Sequence, residues 1–205
     1  LQADPRCGRV LALHRHSQPA VDYDRADNLA AAAEALRSQA PWHLVIVATG
    51  MLHGAAVAPE KRLAELKLAA LETVFRTNTF GPALLLGLVA PLLDRQRSLL
   101  AVLSAKVGSI GDNRLGGWYA YRASKAALNM IVKTASIELQ RTHPGAVLVA
   151  LHPGTVRSGL SRPFRGDQIG RDPAQAAAQM LQALDALGPD DSGSFVAYDG
   201  QRLPW

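Results

Sequence analysis

Residues 99–151 read LLAVLSAKVGSIGDNRLGGWYAYRASKAALNMIVKTASIELQRTHPGAVLVAL. The stretch opens on a short apolar run at 99–103 and closes on another, AVLVAL, at 146–151. Short runs without a polar break mark strands covered on both faces, as in a parallel sheet. The segment between them holds Tyr121 on a helical pattern that must stop before Pro144 and Gly145. The same alternation continues outward. HLVIVA at 43–48 and RVLAL at 9–13 are two further strand candidates. A helix is expected over 27–38 (DNLAAAAEALRS), with Asp27 placed to cap its start. Another runs over 64–93, broken near 77–82. A fourth opens at Asp172 and Pro173, a cap followed by proline at the first helical position, and stops at Gly188. This alternation argues for a doubly wound α/β fold, a Rossmann-like parallel sheet with helices on both faces. A single domain over 1–205 is expected.

Composition bounds the function. The 205 residues are 48% hydrophobic and 19% charged, as in ordinary soluble globular domains. One cysteine, Cys7, excludes an internal disulfide framework, and a reducing cytoplasm fits best. The longest apolar stretch, FGPALLLGLVAPLL at 80–93, is too short to span a bilayer and carries Pro82 and Pro91, so it reads as a buried helix. No membrane association is expected, and no signal peptide is visible. The net charge is +5 and the pI 9.7, yet the arginines lie mostly singly, with no basic run and no aromatic interleaving. The charge therefore reads as solubility with a taste for anionic small molecules, and not as a nucleic-acid surface. No His, Cys or acidic cluster has metal-ligand spacing, so no metal is expected.

Doubly wound folds begin with a strand, a glycine-rich turn and a helix whose N-terminus receives phosphates. Neither that first strand nor a Gly-rich turn occurs in this sequence, which opens LQADPRCG and runs straight into RVLAL. A parallel sheet without its central strand would expose two backbone edges. A strand and a Gly-rich turn are therefore expected ahead of Leu1 in the natural polypeptide.

The chemistry lies in WYAYRASKAALN at 118–129. On a helix, positions i and i+4 share a face, which puts the ammonium of Lys125 near the phenol of Tyr121. A free tyrosine holds its proton until about pH 10. A fixed cation nearby favours the phenolate and makes the ring a usable proton donor and acceptor. Four further features accompany the pair. HLVIVATG ends a strand at Gly50, FRTNTFGP puts Asn78 inside the long helix, LSAKVGSIGDN places serines at a strand end, and LHPGTVRS follows the last predicted strand.

Together these motifs resemble the short-chain dehydrogenase/reductase family over essentially the whole chain. The run SAKVGSIGDNRLGGWYAYRASKAALN and the ending YDGQRLPW are most similar to its C-factor and sniffer carbonyl-reductase-like branch. The resemblance implies a carbonyl reductase or alcohol dehydrogenase, with a small-molecule carbonyl or alcohol as substrate. A slowly acting cofactor-binding signalling protein is the other function it admits. Tyr121 would be the general acid, Lys125 would lower its pKa and bind the nicotinamide ribose, and Asn78 would interrupt its helix and hold a proton-relaying water. The serine departs from the family's Ser-Ser-x-x-Gly. With Gly108 fixing the frame, the residue expected to polarise the carbonyl is Ala105, flanked by Ser104 and Ser109. A hydroxyl is wanted there to donate to the developing oxyanion. Ser104 serves if the strand end is rotated, because successive strand residues point to opposite faces. Ser109 could reach in after the glycine. Ser104 is taken first and Ser109 second.

The cofactor contacts follow from the same resemblance. Gly50 lets the backbone approach the cofactor closely, although Val47, Ala48 and Thr49 replace the family's asparagines ahead of it. Pro153, Gly154, Thr155 and Val156 would embrace the nicotinamide amide. Arg15 stands where an acidic residue would bind a ribose 2′-hydroxyl, and suits a 2′-phosphate instead, which points to NADP in preference to NAD. The helices at 78–93 and 121–140 commonly form dimer interfaces in the family, so a homodimer is compatible with the sequence. The substrate itself is not legible, since the covering segment at 157–171 is short and polar.

Overall fold

The structure, a computed structural model, describes residues 1–2 and 4–205. Two compact units are present, Leu1–Ala40 and Pro41–Trp205. In the first, α1 spans Ala26–Arg37 and buries Leu29, Ala32 and Ala33, one helical face at i, i+3 and i+4. Asp27 does not cap it. Arg25 holds the cap position without a side-chain bond, and Asp27 lies in the first turn, where its charge still complements the helix dipole. The expected strand at 9–13 is absent: these residues join no ladder among those described, and Leu11 is exposed. A strand exists through its partner, and apolar content alone supplies none.

The second unit is built on four parallel strands in the order β1-β2-β3-β4, namely Leu44–Val47, Ser98–Leu103, Ala146–His152 and Phe195–Ala197. Three of them were expected from apolar runs. The fourth has only three residues, and its pairing with His152, Leu151 and Ala150 defines it. Strand β3 is central and almost wholly buried. Its alternate residues Val147, Val149 and Leu151 join Ala101, Val196 and Leu184 in one core layer. Leu184 belongs to α6, Pro173–Asp185, whose start is capped by Asp172 accepting from the N–H groups of Ala174 and Gln175, as expected. The pleat turns Leu100, Val102, Leu148 and Ala150 to the other face, which α4 (Tyr119–Thr142) covers with the fully buried Leu128 and Val132.

The long helix expected over 64–93 resolves into α2 (Leu68–Phe75), a π-helical turn at Arg76–Phe80, and α3 (Gly81–Val89). The break falls where Asn78, Gly81 and Pro82 predicted it. The apolar stretch at 80–93 is not buried all round: Leu85, Leu86 and Val89 face inward, while Phe80 and Leu84 are exposed. Helix α4 spans Tyr119–Thr142, and the one-turn α5, Gly166–Ile169, lies in the segment before α6. None of the helices described is long and apolar enough to cross a membrane.

Candidate active site

Tyr121 and Lys125 stand one turn apart on the buried side of α4, with relative exposures of 9% and 2%. The Lys125 ammonium donates to the carbonyl of Leu103 at the end of β2, at 2.8 Å. An ammonium carries three donors, and among the described residues this is its one acceptor. Asn78, fully buried in the π-helical turn, clamps the backbone after Gly50. Its Oδ1 accepts from the Met51 N–H at 2.7 Å, and its Nδ2 donates to the Met51 carbonyl at 2.8 Å and to Ser124 Oγ at 3.0 Å. A methyl group added at Gly50 would sit 3.7 Å from Lys125 Nζ and 3.8 Å from Asn78 Oδ1. Gly50, Asn78 and Lys125 thus converge on one small space that the missing side chain leaves open. Gly108 lies against α4 so closely that a Cβ would come within 2.7 Å of Lys125 Cβ.

Burial sets the electrostatics. It pushes the Tyr121 phenol up to about 12 and the Lys125 ammonium down to about 8, since both charged forms lose their hydration. This departs from the expectation that Lys125 depresses Tyr121: desolvation of the phenol prevails, and the ammonium is directed at Leu103. Both Nδ2 protons of Asn78 are donated, while its Oδ1 accepts one bond and keeps a second lone pair.

The serines separate. Ser104, the first choice, is buried and donates its proton to Asn129 Oδ1 at 2.6 Å. Ser109 is equally buried, and its Oγ accepts from the Asp112 N–H at 3.0 Å, an arrangement that leaves its own proton to give. Ala105 is extended, so its methyl points away from the face Ser104 uses.

The loop after β3 is held by residues that the sequence did not single out. Gly154 has φ +69, and a Cβ there would strike Arg171 and Tyr198. The Arg171 guanidinium donates to the Pro153 carbonyl and to Gln179, and lies 3.4 Å over the Tyr198 ring. Its backbone N–H holds the Thr155 carbonyl at 2.9 Å. His152 accepts the Lys106 N–H on Nδ1 at 3.2 Å, and burial, with the charges of Lys106 and Arg171, brings its pKa down to about 4. It is neutral at pH 7 and ties the end of β3 to the residue after Ala105. Glu60, buried, accepts the Ala120 N–H at 3.1 Å and so caps α4, which Trp118 leaves without a side-chain cap. Arg122 gathers the carbonyls of Val107, Gly116 and Gly117, closing the loop that carries Ser109. Lys106 and His152, Glu60 and Ala120, and Pro153 and Arg171 lie far apart in the chain, so spacing could not reveal these contacts. Arg15 lies exposed in a turn of the first unit.

Residues 19–169 match the sequence model of the short chain dehydrogenase family, which covers most of the chain. The chain belongs to the short-chain dehydrogenase family. A 1-hydroxy-2-glutathionyl-2-methyl-3-butene dehydrogenase of Rhodococcus is 39% identical over 62% of this chain and 55% of its own length. The C-signal protein of Myxococcus xanthus is 37% identical over 70% of this chain and 83% of its own. The chain therefore spans little more than half the length of some curated relatives it matches. Among solved structures, the carbonyl reductase Sniffer of D. melanogaster superposes with a TM-score of 0.74 at 28% identity, over 90% of this chain and 75% of that one. NADPH-bound carbonyl reductase from chicken fatty liver gives 0.76 at 26% identity, over 91% and 76%.

Proposed function

We propose that this chain reduces the carbonyl of a small molecule with NADP(H), or oxidises the corresponding alcohol, with Tyr121 as general acid/base. The buried pair of Tyr121 and Lys125 one turn apart on α4, with the Lys125 ammonium at the space beside Gly50, carries this reading. When bound, NADPH supplies the hydride. The residues present fit the nicotinamide-ribose half of such a cofactor: Gly50 leaves a cradle, and Lys125 keeps two buried N–H donors suited to ribose hydroxyls. Pro153, Gly154, Thr155 and Val156, held by Arg171, would border the nicotinamide amide. Asn78 fixes Met51 beside the cradle. Arg15 would meet the 2′-phosphate, which favours NADP over NAD. The NADPH-bound relative supports the cofactor class.

Tyr121, protonated up to about pH 12, holds at neutral pH the proton that carbonyl reduction requires. The oxyanion donor in this reading is Ser109 in place of Ser104, whose proton is spent on Asn129. Ala105 and the likeness to C-signal favour a second reading, a cofactor-binding protein of signalling function with little turnover. Tyr121→Phe separates them. Diketone reduction should fall by roughly 10²- to 10⁴-fold while NADPH affinity stays within a few fold. Retained turnover in the purified variant would rule out the assignment, and a wild-type protein that binds NADPH without turnover would favour the second reading.

A further inference from the structure

Four aromatic rings from three segments of the chain form a continuous wall that ends at Tyr121. Trp118 meets Tyr121 edge-on at 6.3 Å between centroids and Phe164 at 4.9 Å, and Phe164 meets His53 at 5.7 Å. All are edge-to-face, the geometry that the ring quadrupole favours. His53 ties the wall together, since its Nε2 lies 3.2 Å from the carbonyls of both Gly159 and Leu160. Two acceptors around one nitrogen place its proton there. Ser161 braces the segment that carries Phe164 through the Val156 carbonyl at 2.6 Å and the Ser158 N–H at 3.1 Å.

The backbone under Trp118 holds the indole at a strained position. Trp118 has φ 53 and ψ 45, a left-handed conformation that follows Gly116 and Gly117 at φ 61 and 63. A bulky side chain in this region is an outlier costing on the order of 1 kcal/mol or more, and a third glycine would avoid that cost. The indole does not cap the helix, because Glu60 does. What the strained residue achieves is the placement of a flat ring between Tyr121 and Phe164. Four arginines lie in the same region, two of them matched by carboxylates and two by neutral amides. Arg157 and Arg162 pair with Asp172 and Asp167, while Arg165 and Arg171 donate to Gln168 and Gln179.

We propose that Trp118 determines specificity, selecting substrates with a planar, unsaturated group beside the carbonyl. This rests on the reductase reading above. A carbonyl brought to the Tyr121 hydroxyl places its neighbouring group against the indole, where Phe164 packs in the free protein. A flat group that takes the place of Phe164 keeps the edge-to-face contact, whereas a puckered one of equal bulk loses it.

The test compares 1-phenyl-1,2-propanedione with 1-cyclohexyl-1,2-propanedione, two neutral probes of similar size, through kcat/KM with NADPH. Trp118→Leu should lower the phenyl-to-cyclohexyl ratio by about three- to tenfold, the range that aromatic pairing supplies, whereas Phe164→Leu, which only vacates the place the flat group takes, should not lower it. Using the change in ratio cancels the intrinsic reactivity of the two ketones. Trp118→Gly, which accepts a positive φ without strain, serves where the leucine variant melts early. A ratio unchanged in Trp118→Leu overturns the inference while the reductase reading stands. If wild type reduces neither diketone, the reductase reading fails, and the preference is then read from dissociation constants in NADPH-saturated protein. Equal affinities for the two probes would overturn the inference there too.

Discussion

Lys125→Met probes the buried ammonium through stability, independently of turnover. The Lys125 ammonium, only 2% exposed, titrates at about 8 in the folded protein against 10.5 when solvated, because burial strips its hydration and one carbonyl partly replaces it. Each tenfold change in proton affinity is worth about 1.4 kcal/mol, so the drop corresponds to about 3 kcal/mol. The sign follows from proton counting. Between about pH 8 and 10.5 the unfolded chain holds a proton on this lysine that the folded protein has released, so stability rises with pH across that window. The contribution is fully present above 10.5 and is lost as pH falls through 8. Methionine has similar volume and no proton, and it forfeits a hydrogen bond worth about 1 kcal/mol at every pH. Urea midpoints of both proteins at pH 7.5 and pH 10 give the double difference, in which the other titrating groups cancel. Wild type should gain about 2–3 kcal/mol on Lys125→Met over that interval. Parallel pH dependences would refute the reasoning, and with it the burial of the charged group that the proposed function relies on.

Two other outcomes are expected. Gly108→Ala forces a Cβ to within 2.7 Å of Lys125 Cβ and 2.9 Å of its backbone carbon, so thermal or urea unfolding should show a loss of about 1–3 kcal/mol. A neutral substitution would mean that the loop at 106–108 does not rest on α4. Arg15→Asp should move the ratio of specificity constants from NADPH toward NADH, since a carboxylate repels a 2′-phosphate. An unchanged ratio would mean that Arg15 has no part in cofactor choice.

The sequence showed most of the second unit because burial leaves a local trace. Strands β1, β2 and β3 were visible as apolar runs, since a parallel strand is covered on both faces. The π-helical turn announced itself through Asn78 ahead of Gly81 and Pro82, and α6 through Asp172 and Pro173. Tyr121 and Lys125 were legible because i and i+4 face the same way on any helix. The resemblance to a family then supplied Asn78, Gly50 and the loop after β3 as candidates, and the fold brings Asn78 and Gly50 to Lys125.

Whatever depends on a partner distant in the chain was not legible. RVLAL at 9–13 has the composition of a strand and joins no ladder, while FVA at 195–197 has too few residues to notice and becomes β4 by pairing with β3. Ser104 and Ser109 look alike in sequence. Only the tertiary structure sends the Ser104 proton to Asn129, because the direction of a hydroxyl at a strand end depends on which helix lies over it. The sign of the Tyr121 shift was likewise misread, since spacing shows that a cation is near but not how much water the fold removes from the phenol. Glu60 capping α4, Arg171 beneath the Pro153 loop and the ring contacts from Trp118 through Phe164 to His53 all join segments far apart in the chain. Periodicity constrains neighbours within a few residues, and these contacts arise only when the chain has closed on itself.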